Sequence, residues 1–466
     1  MKLIKSISLI TIILLLGNVS GFNQLSAQNR IDILNAETLN GEVRDGEQIR
    51  QLSGDVKLRS GSRLLYCDEA IQFIERDVVE ASGSVFIKTD EEEIWADFVT
   101  FNNSSEIAEF RGNVVVHKDT LKIFTRNLRY AFGTKTAYLP EQFLLQDKDA
   151  NLTSEFGIYF TELDSAAFFG NVQLRDSTKY IEADTLYSNR KAERYELRHN
   201  VFLKDSVEQV YLKGNYVFSD STGYRDIEKN ARLARISEEQ DTSFILAHRI
   251  QLFESDSSYT IVANGDVRIW SKDYAARSQK ADYSDSTEIF LLSGKARTWQ
   301  DQLQLSAPTI NITLKNDTLK MLQAWPQPFA AQKDSTSDRI HQMAADSLTA
   351  HFKKGKAERV DLDRNAQLLY FLSNESDKND GAMDVIAQKM SVFFKDGEVN
   401  RFKALTNITS NYAEERSGLE SIRLVGFIYT PELKPEKPDF PTRSIAPIPV
   451  DSLKEVFSPA HYQPRE

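Results

Sequence analysis

The chain has 466 residues, 41% hydrophobic and 27% charged, with a formal net charge of −11. That is too apolar for a disordered chain. The acidic balance argues against nucleic acid and against wide contact with an anionic membrane surface, both of which need basic groups. A single cysteine, Cys67, rules out an internal disulfide, so stability must rest on burial and strand ladders.

Residues 1–27 read as a secretory signal peptide. Lys2 and Lys5 precede an apolar run, Ile7 to Leu16, and Leu25-Ser26-Ala27 offers a cleavage site. The run is too short to cross a bilayer comfortably, although a retained anchor is the alternative. Losing it makes the mature chain more acidic.

From Gly54 a phrase recurs, Gly-x-Val-x-(Leu/Ile/Val), at a period near 29 residues. It starts at Gly54, Gly83, Gly112, Gly170 and Gly265, with a weaker copy at His199 and a degraded one at Gly294. Residues two apart on a strand share a face. Val56, Leu58, Val85, Ile87, Val114, Val116, Val172, Leu174, Val201 and Leu203 therefore form two inward columns, continued by Val267 and Ile269. The residues between them (Lys57, Phe86, Val115, Gln173, Phe202, Arg268) are mixed, so that face is less constrained.

A second beat starts a strand with a small residue and Asp: Cys67-Asp68, Ala96-Asp97, Ala183-Asp184, Ala281-Asp282. A third, such as Val78–Ala81, is a short strand returning to the next glycine. Cys67 reads as a small buried residue rather than a reactive thiol. A fixed period means stacked copies of one unit. The expected fold is all-β: an elongated open β-jelly roll, or β-solenoid-like stack of short antiparallel strands. No stretch shows sustained helical periodicity.

Between Gly112 and Gly170 the rhythm persists, with Pro140 in a glycine place. Residues 225–248 read as irregular, and Ala330 to Arg339 as a hinge or long loop. A second repeat family follows, Phe352–Val360 and Phe394–Phe402, with Lys354-Gly355 and Asp396-Gly397 as hairpin turns. The expected domains are a signal peptide (1–27), jelly-roll repeats (28–325), a second β repeat segment (326–430) and a proline-rich extended tail (431–466).

Chemistry is sparse. None of the six histidines has metal-ligand spacing, and all six read as surface residues. No nucleophile elbow, phosphate loop or dinucleotide fingerprint occurs. The repeated Asp reads as a structural device at a strand start, and Asp-Ser pairs as turns rather than calcium sites. No enzyme, metal or cofactor is expected. A polysaccharide-acting enzyme would need a carboxylate cluster confined to one repeat. The columns are either a packed core or a trough for lipid chains, where each methylene is worth about 0.8 kcal/mol. Periodicity does not separate the two.

The array resembles the OstA/LptA-like family of periplasmic lipopolysaccharide-transport proteins. Gly112-Asn113-Val114, Gly170-Asn171-Val172, Gly265-Asp266-Val267 and the Ala-Asp pairs carry the resemblance over roughly 30–325, and 314–402 resembles the C-terminal part of larger OstA-like proteins. The resemblance implies a periplasmic jelly roll holding lipid A acyl chains, with sugars and phosphates in solvent. It implies as partners an inner-membrane extraction complex and an outer-membrane barrel, and end-to-end stacking into a homo-oligomer through strand addition. On that basis the ten column residues are the expected lipid contacts. Three departures stand out. The chain is long for a single bridge domain, Leu405 to Glu466 leaves no room for an outer-membrane barrel, and the acidic charge sits awkwardly with a phosphate-bearing ligand.

Overall fold

The computed structural model describes residues 30–463 except 238–240, 256, 335–336, 374–378, 396 and 441–447. The expected signal peptide lies outside these residues. They form thirty strands, one helix (Val450–Phe457) and two 3-10 turns, Leu419–Ser421 and Pro431–Leu433. Every described strand pairing is antiparallel, from Ile31↔Ser60 to Ile386↔Thr409. No helix among the described residues is long and apolar enough to cross a membrane.

The recurring phrase is a corner rather than a strand start. Val78–Lys88 is one strand holding both the third beat and the following Gly83-Ser84-Val85. Gly83 and Ser84 take φ of 73° and 46°, and the pairing register slips between Ser82 and Val85. This is a two-residue β-bulge, which bends a strand and re-aims the residues beyond it. The pattern repeats at Gly54, Gly112, Gly170, Gly265 and Gly294. Glycine is needed because a β-carbon on Gly83 would lie 2.4 Å from the Asp68 carboxylate, and one on Gly112 2.7 Å from that of Asp97.

Those aspartates therefore stand in mid-strand beside the next strand's bulge, which corrects the expected strand-start role. Asp184 does the same at the weaker copy, accepting from Asn200 Nδ2 at 2.9 Å. Ala281-Asp282 does not belong to the set. Gln279 occupies the place beside Gly294, and Asp282 pairs with Lys280 at 2.8 Å.

Besides His199-Asn200, two further corners lack the glycine signal. Lys229-Asn230 and Arg364-Asn365 adopt the paired positive φ, which asparagine tolerates. The described residues 225–236 and 242–248 are thus regular, lying in strands Tyr224–Ile236 and Thr242–Glu254. The expected loop from Ala330 to Arg339 begins inside a strand, Phe329–Lys333, with Phe329, Ala330, Ala331 and Gln332 buried. At Pro140 and Pro326 the corner interrupts the strand, because proline offers no ladder donor.

Bending every strand at its corner gives two walls with the core between them. Phe143 on one wall meets Phe168 on the other, ring centroids 5.6 Å apart. Two compact units result: Ser206–Arg443, and Lys2–Asp205 with Ser444–Glu466. Strands on either side of residue 325 pair with each other, as in Leu322↔Ala350.

The described residues after the last strand, from the end of the expected second β segment (326–430) into the expected tail (431–466), are bound to the outer face of one wall in each unit. In Ser206–Arg443, Leu419 and Leu424 join Phe329, Ala331, Leu369 and Phe371. The buried Gln342 donates to the Ile422 carbonyl at 3.0 Å and accepts from the Leu424 N–H at 2.9 Å. Gln304 repeats this with the Ile428 carbonyl and Thr430 N–H, at 3.1 and 2.8 Å.

In the other unit Ile448 and Phe457 join Trp95, Val115, Phe124 and Leu144. Val115 lies between the inward Val114 and Val116, so this is the face that looked unconstrained. The helix suits its place: Val450, Leu453 and Phe457 share one side, with Asp451 in the first turn and Lys454 in the last. Among the described residues nothing covers the opposite wall, where Phe98 and Phe156 are exposed.

Candidate functional site

The ten column residues all point between the walls. Eight are buried, and Leu174 and Leu203 are half-buried. Strand register links them through residues that the sequence reading left out. Leu58 pairs with Leu65, Leu65 with Ile87, Ile87 with Ile94, Ile94 with Val116 and Val116 with Ile123. The same row continues through Leu145, Leu152, Leu174, Ile181 and Leu203. Leu65, Ile94, Ile123, Leu145, Leu152 and Ile181 sit on return strands that lack the glycine phrase, where period-two alternation was the only signal.

The row is fully covered from Leu58 to Ile123. Leu145, Leu174, Ile181 and Leu203 are half-buried. The opposite wall contributes Val79, Phe101, Phe110, Leu128 and Leu139. Cys67, beside Val56, is buried, and that burial pushes its thiol up to about 12. It is an inert filler, as expected.

The walls close on each other. A cavity of about 20 Å³ lies among Leu58, Leu65, Val79, Ile87 and Phe101, and one of about 10 Å³ among Thr298, Leu305, Leu322 and Leu348 in the other unit. Each has room for about one water. A long ligand would have to part the walls.

The seam where strand-end turns of opposite walls meet is polar. In the unit containing the columns, Ser60 Oγ donates to Asn103 Oδ1 at 2.5 Å, and Arg63 ion-pairs with Glu106. Tyr130 Oη donates to Glu92 at 2.6 Å, Lys135 reaches Glu91 at 3.2 Å, and Arg190 meets Asp147 at 2.6 Å. Ser60–Asn103 and Arg63–Glu106 each span 43 residues and Glu91–Lys135 spans 44, so one kind of closure recurs along the stack.

The Lys118 and Lys135 ammonium groups hold the Glu91 carboxyl below its ordinary range. Burial opposes the charge on Arg190, yet Asp147 and Asp164 hold its pKa above the usual value. In the other unit Arg235 faces Asp317 at 3.6 Å, and Gln332 donates to the Gly397 carbonyl at 2.6 Å.

One histidine departs from the surface reading. His341 is buried, stacks on Tyr370 at 4.5 Å and accepts from the Phe371 N–H through Nδ1. Burial lowers its pKa to about 4. Among the described residues no group of three or more His, Cys, Asp or Glu is placed to hold a metal ion.

Comparison with known proteins places this arrangement in a family. The profile described as OstA-like protein matches residues 28–184. The profile described as LptA/(LptD N-terminal domain) LPS transport protein matches residues 159–318. No curated protein matches by sequence. Among solved structures, LptH, the LptA-homologous periplasmic component of the lipopolysaccharide transport device of Pseudomonas aeruginosa, aligns at 12% identity. That alignment covers 27% of this chain and 80% of LptH with a TM-score of 0.22, too low to carry weight. The family rests on the two profile matches and the cornered all-β repeats beneath them: over residues 28–318 the chain is a member of the OstA/LptA-like lipopolysaccharide-transport family.

Proposed function

We propose that the protein binds lipopolysaccharide in the periplasm and forms part of the bridge that carries it between membranes, with acyl chains lying along the Val/Leu/Ile row. The observation that carries this reading is the row itself. It is unbroken across the stack, and Leu145, Leu174, Ile181 and Leu203 present half-covered aliphatic surface. Each acyl methylene taken from water there is worth about 0.8 kcal/mol. Sugars and phosphates stay at the seam and beyond. The role is binding and transfer, without bond-breaking. Its partners are the complex that extracts the lipid and the barrel that receives it, and end-to-end stacking of copies is compatible with the exposed edge strand Thr38–Arg44.

The packed interior also favours a second reading, a structural or adhesive exported β-roll with a solid core. A photo-crosslinking residue at Val114 or Val172 separates the two. Labelled lipopolysaccharide on those positions supports transport, and intraprotein adducts alone support the solid core. Depleting the protein and measuring surface lipopolysaccharide tests the role in the cell.

A further inference from the structure

The cations of the seam share one arrangement. Arg63 sits on the wall covered by the C-terminal residues and pairs with Glu106 on the bare wall. Lys135 and Arg190 sit on bare-wall turns and pair with Glu91 and Asp147 on the covered wall. Each ion pair therefore bridges the two walls, and each must break if they part.

Arg63 lies over the rings of Phe101 and Phe132, at 5.7 and 4.9 Å, and its Nη1 is buried with no hydrogen-bond partner among the described residues. Parting the walls would strand Arg63 in a half-dry setting, where an unpaired charge is costly, while Lys135 and Arg190 stand more open to solvent. A phosphate offers guanidinium the same paired oxygens as a carboxylate. The lipid of the proposed function carries phosphates at the junction between acyl chains and sugars, level with a seam that borders an apolar interior.

We propose that this line is the loading seam, and that Arg63, Lys135 and Arg190 exchange their carboxylate partners for headgroup phosphates as acyl chains enter. This rests on the lipid-binding reading above. It also resolves the tension between an acidic chain and a phosphorylated ligand. In the resting protein the acidic residues neutralise and shield the cations, and loading uncovers them. The ligand class is a phosphorylated, multiply acylated lipid, bound through both halves.

The test uses the full chain with a photo-crosslinker at Val114 and two probes, bisphosphorylated lipid A and its dephosphorylated form. Glu106→Gln with Asp147→Asn frees Arg63 and leaves Arg190 only the more distant Asp164, while keeping neutral acceptors. Affinity for the phosphorylated probe should rise about three- to tenfold, the scale of one or two charge-assisted bonds, and affinity for the dephosphorylated probe should not change. Arg63→Met with Arg190→Met should lower the first and spare the second. Millimolar inorganic phosphate should not displace either probe, because it lacks acyl chains. Displacement would show a free-phosphate site instead and overturn the proposal.

Ser60→Cys/Asn103→Cys with Asp147→Cys/Arg190→Cys, oxidised, should suppress labelling at Val114, and reduction should restore it. If wild type is labelled but the charge variants shift both probes equally, or the oxidised lock labels normally, the seam proposal fails while lipid binding stands. If no protein is labelled by either probe, the reading of the interior falls as well.

Discussion

The same C-terminal segment is held in two different ways by the two units. Over Ser206–Arg443 it runs extended, and buried glutamines do the holding. Gln304 and Gln342 each present an amide that donates to one strap carbonyl and accepts from a strap N–H two residues on. Over Lys2–Asp205 it is a helix, held by apolar contacts of Ile448 and Phe457 with Trp95 and Phe124. An extended chain leaves its backbone groups unsatisfied, so the surface beneath must supply polar partners. A helix satisfies its own and needs only an apolar bed. The chemistry of the sheet face thus selects the conformation of the segment that covers it.

The largest expected effect attacks the helical attachment. Phe457→Ala should cost about 3–5 kcal/mol, as for other buried phenylalanines, read by denaturant unfolding. A transition confined to Ser206–Arg443 should be unaffected, and equal loss in both units would erase the contrast drawn here. Next comes acid. His341 lies in Ser206–Arg443 and its folded pKa is lowered to about 4 from an ordinary 6.5. The unfolded chain therefore binds more protons between those values, so stability is full above pH 6.5 and falls as pH drops toward 4, by about 3 kcal/mol. A pH series of melts should show this slope, and His341→Gln should flatten it.

Gln304→Ala leaves the Thr430 N–H and Ile428 carbonyl without their partner and should cost about 1–3 kcal/mol. Hydrogen exchange should show the extended segment opening while the helix stays protected. The smallest effect belongs to the exposed seam pair: Lys135→Ala should leave the melting transition almost unchanged, because an exposed ion pair contributes little. A larger loss in melts would make that pair a structural clasp.

The repeat was legible because a bulge with two positive-φ residues beside a crowding carboxylate leaves glycine little competition, and glycine marks the position at Gly83 and Gly112. Where lysine or arginine took the glycine place, at Lys229-Asn230 and Arg364-Asn365, the rung was invisible. The glycine-bearing half of the interior row could be read and the return-strand half could not, since Leu65 and Ile94 carry no positional marker. The C-terminal cover was hidden for another reason. Prolines such as Pro431 and Pro449 do report a lack of ladder pairing, but they are silent about side chains and carbonyls meeting a distant surface. The seam pairs are 38 to 44 residues apart and depend on two walls folding over each other, which no local pattern encodes.

The cover over Trp95 and Phe124 is made of residues beyond 447, which are synthesised long after the rungs they cover. Until then the first-made rungs present bare indole and phenyl rings to their surroundings. A nascent or truncated chain is therefore a sticky one, and a holding chaperone should bind precursor lacking only the residues beyond 447 far longer than the finished protein.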